Sequence, residues 1–341
     1  MYKYFSNKIH IQLYFTEMSE IIGKLEDFSL TKSPKLHGSI HKIGIIGCGS
    51  MGQEIAKTIS QHGFDVVCLD LNIERVSGGI EGIKHLIDLE ILRWGMTTSE
   101  KRLIMSRIKG TIEYSDLSDC EIVFEVINSR KPGTSLEIRK EILQKAEKFV
   151  RRNAILASNT ATLMISDLAS GLEYPDRAVG LHFMSPTDDV KVLEVVRSSR
   201  TSEESFELVS RFVRMLEKKP ITLMESPGNI TTRMLCVIIN QACEMLMEGI
   251  ASAQDIDEIM RTSLGHQFGP FERADKIGLD KLQKWMDNLY NEYGEHGYKT
   301  SPVLKRLVRA NYLGKATGQG FYKYDLNGKI IESTITCPEY R

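Results

Sequence analysis

Two groupings of residues in this sequence have types and spacing suited to chemistry. The first is a histidine and a glutamate. His182 lies in the apolar run 178–183, Glu194 in the run 191–196, and residues 184–190 join them. If the runs pair as a hairpin centred near Asp188, residues equidistant from it face each other, and His182 and Glu194 each lie six residues away. Directly opposed side chains on one face have Cβ atoms about 4.5 to 5.5 Å apart. At that separation a carboxylate fixes the imidazole tautomer and stabilises the cation formed when the other ring nitrogen takes a proton. That is a base with its orienting acid. Periodicity alone leaves a structural cross-strand polar pair as an equal reading.

The second grouping is Gly47, Gly49 and Gly52, a Gly-x-Gly-x-x-Gly spacing that is weak evidence in isolation. Here it lies between an apolar run, Lys42 to Ile46, and a helix-like segment, Gln53 to His62, and a second run, Asp65 to Leu69, ends in Asp70. Strand, helix and strand in that order make a parallel βαβ unit. The first glycine permits a tight turn, the second lets backbone approach a pyrophosphate, and the third lets helix pack on strand. Gly47, Cys48, Gly49, Ser50, Met51 and Gly52 are therefore candidate phosphate-binding residues at a helix N-terminus. Asp70 is placed to accept from ribose hydroxyls and to repel a 2′-phosphate, which points to NAD rather than NADP. Cys48 reads as a packing residue.

These groups must be held by a larger frame. Runs at 121–126, 154–157, 178–183, 191–196 and 221–224 extend the sheet, with helical spacing over 80–108 and 136–150. After Pro227-Gly228 the chain reads as helices only, roughly 230–248, 253–263, 279–293 and 301–311. The expected architecture is an α/β Rossmann-type NAD-binding domain over 41–225, then an all-α C-terminal domain over 226–325. An N-terminal extension, 1–40, and a tail, 326–341, flank them. Residues 9 to 15 alternate at strand period, which fits an edge strand or a disordered extension, and Met18 offers an alternative start. In the helix near 230–248, Leu235, Ile239, Ala242 and Leu246 form one apolar stripe and Met234, Ile238 and Met245 a second. A helix apolar on two sides needs two partners, so an interdomain or subunit contact is expected.

Composition removes several alternatives. The 341 residues carry 44 Lys and Arg against 45 Asp and Glu, so no net field draws the chain to nucleic acid or to an anionic membrane. Six cysteines without C-x-x-C spacing suit neither a disulfide framework nor a zinc site, and a cytoplasmic location is expected. The remaining histidines do not cluster at ligand spacing, so no metal is expected. No apolar run reaches the roughly 18 residues of a membrane helix.

With these motifs in hand, the sequence resembles the 3-hydroxyacyl-CoA dehydrogenases, including 3-hydroxybutyryl-CoA dehydrogenase. The match runs from Lys42 to Asp325. It includes Gly47 to Gly52, Ala157-Ser-Asn-Thr160, Gly180-Leu-His-Phe183, Leu193-Glu-Val-Val196, Pro227-Gly228, Gly269-Pro-Phe-Glu272 and the segment from Leu313 to Tyr322. The resemblance implies that His182 and Glu194 form the family's catalytic dyad and that Asn159 lies at the cofactor. It also implies that the helical domain carries a homodimer interface and helps close the cleft. The reaction it implies is NAD-dependent oxidation of a 3-hydroxyacyl thioester, on CoA or an acyl carrier protein, or the reverse reduction.

Three polar positions that line the family's active site are changed: Ala161 replaces a serine, and Ser185 and Thr232 replace asparagines. Asn229, three residues before Thr232, is a candidate to supply the missing amide. Asn128 to Gly133 departs from the family's Glu-Asn pair and forms a basic loop, either solvated or in contact with CoA phosphates or an acidic carrier. Asp188 and Asp189 replace usually apolar residues, and read either as turn residues or as a preference for a hydroxylated or amine-bearing acyl group. These departures leave two other readings open, a dehydrogenase of free hydroxy acids such as gulonate or carnitine and an NAD(H)-binding protein without efficient turnover.

Overall fold

The computed structural model describes residues 40–128, 135–325 and 327–335, and both the N-terminal extension and most of the basic loop lie outside them. The nucleotide-binding part opens with β1 (Lys42–Ile46), α1 (Ser50–Gln61) and β2 (Asp65–Leu69). It continues through α2 (Ile73–Leu92), α3 (Thr98–Ser106), β3 (Ile108–Thr111), β4 (Ile122–Glu125), α4 (Ser135–Glu147), β5 (Ile155–Ser158) and α5 (Ile165–Ala169). It ends with β6 (Ala178–His182), β7 (Val192–Arg197), α6 (Glu203–Met215) and β8 (Lys219–Met224). The sheet order is β3-β2-β1-β4-β5-β6-β7-β8, parallel throughout except for the antiparallel β6–β7 pair. Strand order reverses between β1 and β4, which opens a crevice at their carboxyl ends.

Residues 80–108 differ from the expected continuous helix. The helix stops at Leu92, Trp94 takes a left-handed φ of 59°, and α3 restarts at a capping box between Thr97 and Glu100. Ile108 then pairs with Val66, so the end of the segment is a strand. Both sheet faces are buried. Ile43, Ile45, Ile55, Phe124, Phe183 and Phe212 pack on one side, and Val67, Val123, Leu143, Leu156 and Ile165 on the other. That explains why these strands read as continuous apolar runs.

The second part comprises α7 (Ile230–Met247), α8 (Ala253–Thr262), α9 (Pro270–Ile277), α10 (Leu279–Tyr293) and α11 (Pro302–Arg309). A small antiparallel hairpin, β9 (Tyr322–Tyr324) with β10 (Ile330–Ser333), follows these helices. Its core gathers Ile239, Phe271, Leu282, Met286, Leu304 and Phe321. Inside that core the Asp275 carboxylate accepts from Phe321 N at 2.8 Å and Tyr322 N at 2.9 Å, so it ties the segment leading into β9 to α9. Among the described residues no helix is long and apolar enough to cross a membrane and no His, Cys, Asp or Glu cluster suits a metal ion.

Candidate active site

The glycine loop follows directly from β1. Gly47 has φ 113°, and a Cβ there would sit 3.0 Å from Val126 O. Gly52 lies inside α1 rather than before it, and a Cβ there would stand 2.0 Å from Gly47 O, so only glycine permits this helix–strand approach. Gly49 faces open space, with nothing within 4 Å of where its Cβ would be, and no side chain caps α1. The first turn of α1 thus presents bare backbone donors, an arrangement that suits a pyrophosphate. The Asp70 carboxylate, only 10% exposed, accepts from Cys48 N at 2.8 Å and Leu71 N at 2.7 Å. Each oxygen keeps lone-pair capacity for a ribose hydroxyl. The buried Cys48 side chain packs against Gly79. A dinucleotide of the NAD type fits these residues.

Across the crevice, β6 and β7 pair with His182 opposite Glu194, the register expected from the sequence. His182 Nδ1 lies 2.7 Å from Glu194 Oε2, and both side chains are about 5% exposed. A carboxylate only accepts, so Nδ1 carries the hydrogen and Nε2 is the basic nitrogen. Burial pushes the Glu194 carboxyl upward, but the His182 hydrogen bond and charge, together with Thr231 N and Oγ1, outweigh it and hold the group below its ordinary range. Thr231 N and Oγ1 donate to Glu194 at 3.1 and 3.0 Å from the first turn of α7. The helical part therefore reaches into the dyad.

Sequence reasoning missed Thr231, because nothing local to it announces a partner 37 residues away. Glu54 on α1 is a second such residue. Its carboxylate accepts from Ser185 Oγ at 2.7 Å and from Thr187 N at 3.0 Å, so Ser185 is turned toward α1. Asn159 Oδ1 accepts from Phe183 N at 2.7 Å and so anchors the backbone just after His182. Ala161 is buried beneath the N-terminus of α7, with its carbonyl accepting from Asn229 N at 3.0 Å.

Asn229 occupies the N-cap of α7, one step before the helix that carries Thr232, and one hydrogen of its side-chain amide goes to Thr160 O at 3.1 Å. That bond stitches the two parts together. Of the two readings of Asp188, the structure favours the loop residue: it is paired with Lys57 and accepts from Thr58 Oγ1 at 2.9 Å, both on α1. Asp189 beside it is exposed. Thr232 is 1% exposed and its hydroxyl has no hydrogen-bond partner among the described residues.

Residues 42–226 match the family model described as 3-hydroxyacyl-CoA dehydrogenase, NAD binding domain, and residues 228–324 the model of the C-terminal domain of the same enzymes. The chain belongs to the 3-hydroxyacyl-CoA dehydrogenase family. Within it, a probable 3-hydroxybutyryl-CoA dehydrogenase of Deinococcus radiodurans is 34% identical, over 83% of this chain and 100% of that protein. Human mitochondrial hydroxyacyl-coenzyme A dehydrogenase is 32% identical, over 84% of this chain and 91% of the relative. The crystal structure of (S)-3-hydroxybutyryl-CoA dehydrogenase PaaH1 from Ralstonia eutropha superposes with a TM-score of 0.75 at 35% identity, covering 84% of this chain and all of that one. As in other members of this family, the first domain binds NAD.

Proposed function

We propose that this chain interconverts a 3-hydroxyacyl-CoA and its 3-oxoacyl-CoA, with His182 as base and Glu194 as its orienting acid. The observation that carries the reading is the buried 2.7 Å His182–Glu194 contact, set in the same crevice as the glycine loop. The bound dinucleotide supplies the acceptor for the hydride lost from C3. His182 Nε2 takes the proton of the 3-hydroxyl as the C3–O bond becomes a carbonyl, and returns it in the reduction. Glu194, kept ionised by His182 and Thr231, stabilises the imidazolium and holds the ring in one tautomer. Thr232 and the wall at Ala161 and Ser185 line the acyl side, where the unpartnered Thr232 hydroxyl has a donor to offer a thioester oxygen. Asp70 sets the preference for NAD over NADP.

The domain at 41–225 thus holds cofactor and base, while that at 226–325 closes the cleft and carries the homodimer contact. The five described cysteines are free and buried, which suits a reducing, cytoplasmic setting.

The test is oxidation of NADH by acetoacetyl-CoA, followed by the absorbance of the reduced nicotinamide, with His182→Ala alongside. Turnover reduced at least about a hundredfold in the variant supports the assignment. Equal rates would refute His182 as the base.

A further inference from the structure

Helix α10 meets the carboxyl end of β5, and one of its faces can be identified from that contact. Asn288 Nδ2 donates to Thr162 Oγ1 at 2.9 Å, so its side of the helix meets the loop that follows β5. Residues three, four and seven apart share a helix face. Lys284 and Lys281, four and seven residues before Asn288, therefore look toward that same crevice.

Lys281 is half-buried, and its ammonium makes no hydrogen bond or ion pair among the described residues. Asp280 and Glu54 are the opposite charges that act on it, and they do so from beyond salt-bridge reach. Burial lowers its affinity for the proton and these two only partly restore it. Lys284 is likewise lowered, first by burial and then by the Arg139 charge. Arg139 is itself fastened to Glu125 and to Ile127 O at the carboxyl end of β4. Lys281, half-buried without a contacting anion among the described residues, carries a desolvation cost that an arriving anion relieves.

The glycine loop supplies neutral backbone donors on one wall of the crevice, and α10 brings the Lys281 ammonium toward it from the helical domain. We propose that Lys281, with Lys284 beside it, is the second jaw of a phosphate clamp. In this arrangement the helical domain grips the phosphate groups of the ligand from the side opposite the N-terminus of α1. The inference rests on the reading of this crevice as the dinucleotide and CoA-thioester site. Both ligands carry a pyrophosphate, and binding assays tell them apart.

Calorimetric titration of the full chain with NADH and, separately, with coenzyme A would compare the natural protein with Lys281→Met and with the Lys281→Met, Lys284→Met pair. Pantetheine, which lacks the phosphates, serves as the probe for loss of non-ionic contacts. A drop of about tenfold or more for NADH assigns the clamp to the dinucleotide, and the same drop for coenzyme A assigns it to the carrier, with pantetheine unaffected in either case. Raising salt should erode the natural protein's advantage. If both affinities stay within twofold while thermal stability rises, Lys281 is a tolerated buried charge and the proposal is overturned. Because binding is read without turnover, a protein that binds both ligands normally yet fails to reduce acetoacetyl-CoA would count against the catalytic reading alone.

Discussion

At the scale of single residues, the dyad is legible in the sequence because β6 and β7 are neighbours along the chain, and a hairpin centred near Asp188 opposes His182 to Glu194. What holds Glu194 is not legible, since Thr231 arrives from another domain. Thr231→Val keeps the shape and the backbone donor but deletes the hydroxyl. With one donor fewer, the carboxyl becomes easier to protonate. We expect kcat to fall about tenfold and the acid limb of its pH profile to move upward, a shift that a purely structural loss would not produce. Glu194 stabilises the fold while ionised, and as a depressed carboxyl it loses that contribution only as pH falls through its lowered value. Thr232 should behave in the opposite sense. Its buried hydroxyl has no partner, so Thr232→Val is expected to stabilise the free protein by about 1 kcal/mol in urea denaturation. If that hydroxyl meets the thioester, kcat/KM for acetoacetyl-CoA drops in the same variant; unchanged kcat/KM would remove it from the site.

At the scale of elements, the strands are readable because a sheet buried on both faces needs unbroken apolar runs. Helices α6 and α9 were not anticipated, although Ser202 caps one and Pro270 opens the other. Helix α9, at 8 residues, gives little periodicity to count, whereas the 13-residue α6 buries Val209, Phe212 and Val213 at helical spacing, a stripe that was legible in the sequence. The hairpin of β9 and β10 was also outside the expectation, despite Asn327-Gly328 as its turn signal. The loop after His182 shows the same limit, because its fixings come from segments distant in sequence. Lys57, 4% exposed, bridges Asp188 in that loop and Glu90 on α2, and Lys218 Nζ donates to Val190 O at 2.6 Å. Lys57→Met would leave two carboxylates facing each other. Both are partly solvated, so we expect a loss of about 2 kcal/mol at pH 7, less than a fully buried pair would cost. The deficit should shrink in acid as the carboxylates take up protons. A second element-scale test concerns Asp275. Burial pushes its carboxyl up to about 6 despite three hydrogen-bond donors. A raised acid contributes stability below its unfolded value of about 3.9 and loses it as pH rises through the folded value. The difference in unfolding free energy between the natural protein and Asp275→Asn should therefore fall by roughly 3 kcal/mol between pH 4 and pH 7. A flat difference would show that the carboxyl titrates normally.

At the scale of the whole molecule, the two parts are coupled through α7, which caps Glu194 at one end and buries Cys236, Ile239, Cys243 and Leu246 in its own core. On its other side Ile230, Met234 and Val237 are 54%, 59% and 41% exposed and follow one another at helical spacing. An exposed apolar stripe of this kind marks a protein contact. A second copy of the chain is the partner expected from the resemblance, and sedimentation of the natural protein should give twice the 38.6 kDa chain mass. Met234→Asp combined with Val237→Asp introduces charge at the centre of the stripe and should yield the single-chain mass with an unchanged circular dichroism spectrum. The dyad adds a second readout. Because Thr231 rides on the first turn of α7, freeing this helix on its outer side loosens the donors on Glu194, so kcat should fall in the monomeric variant. Dilution of the natural protein through its dissociation range should lower specific activity along the same course. If the natural chain sediments at 38.6 kDa at micromolar concentration, the stripe has another partner and activity should not depend on dilution.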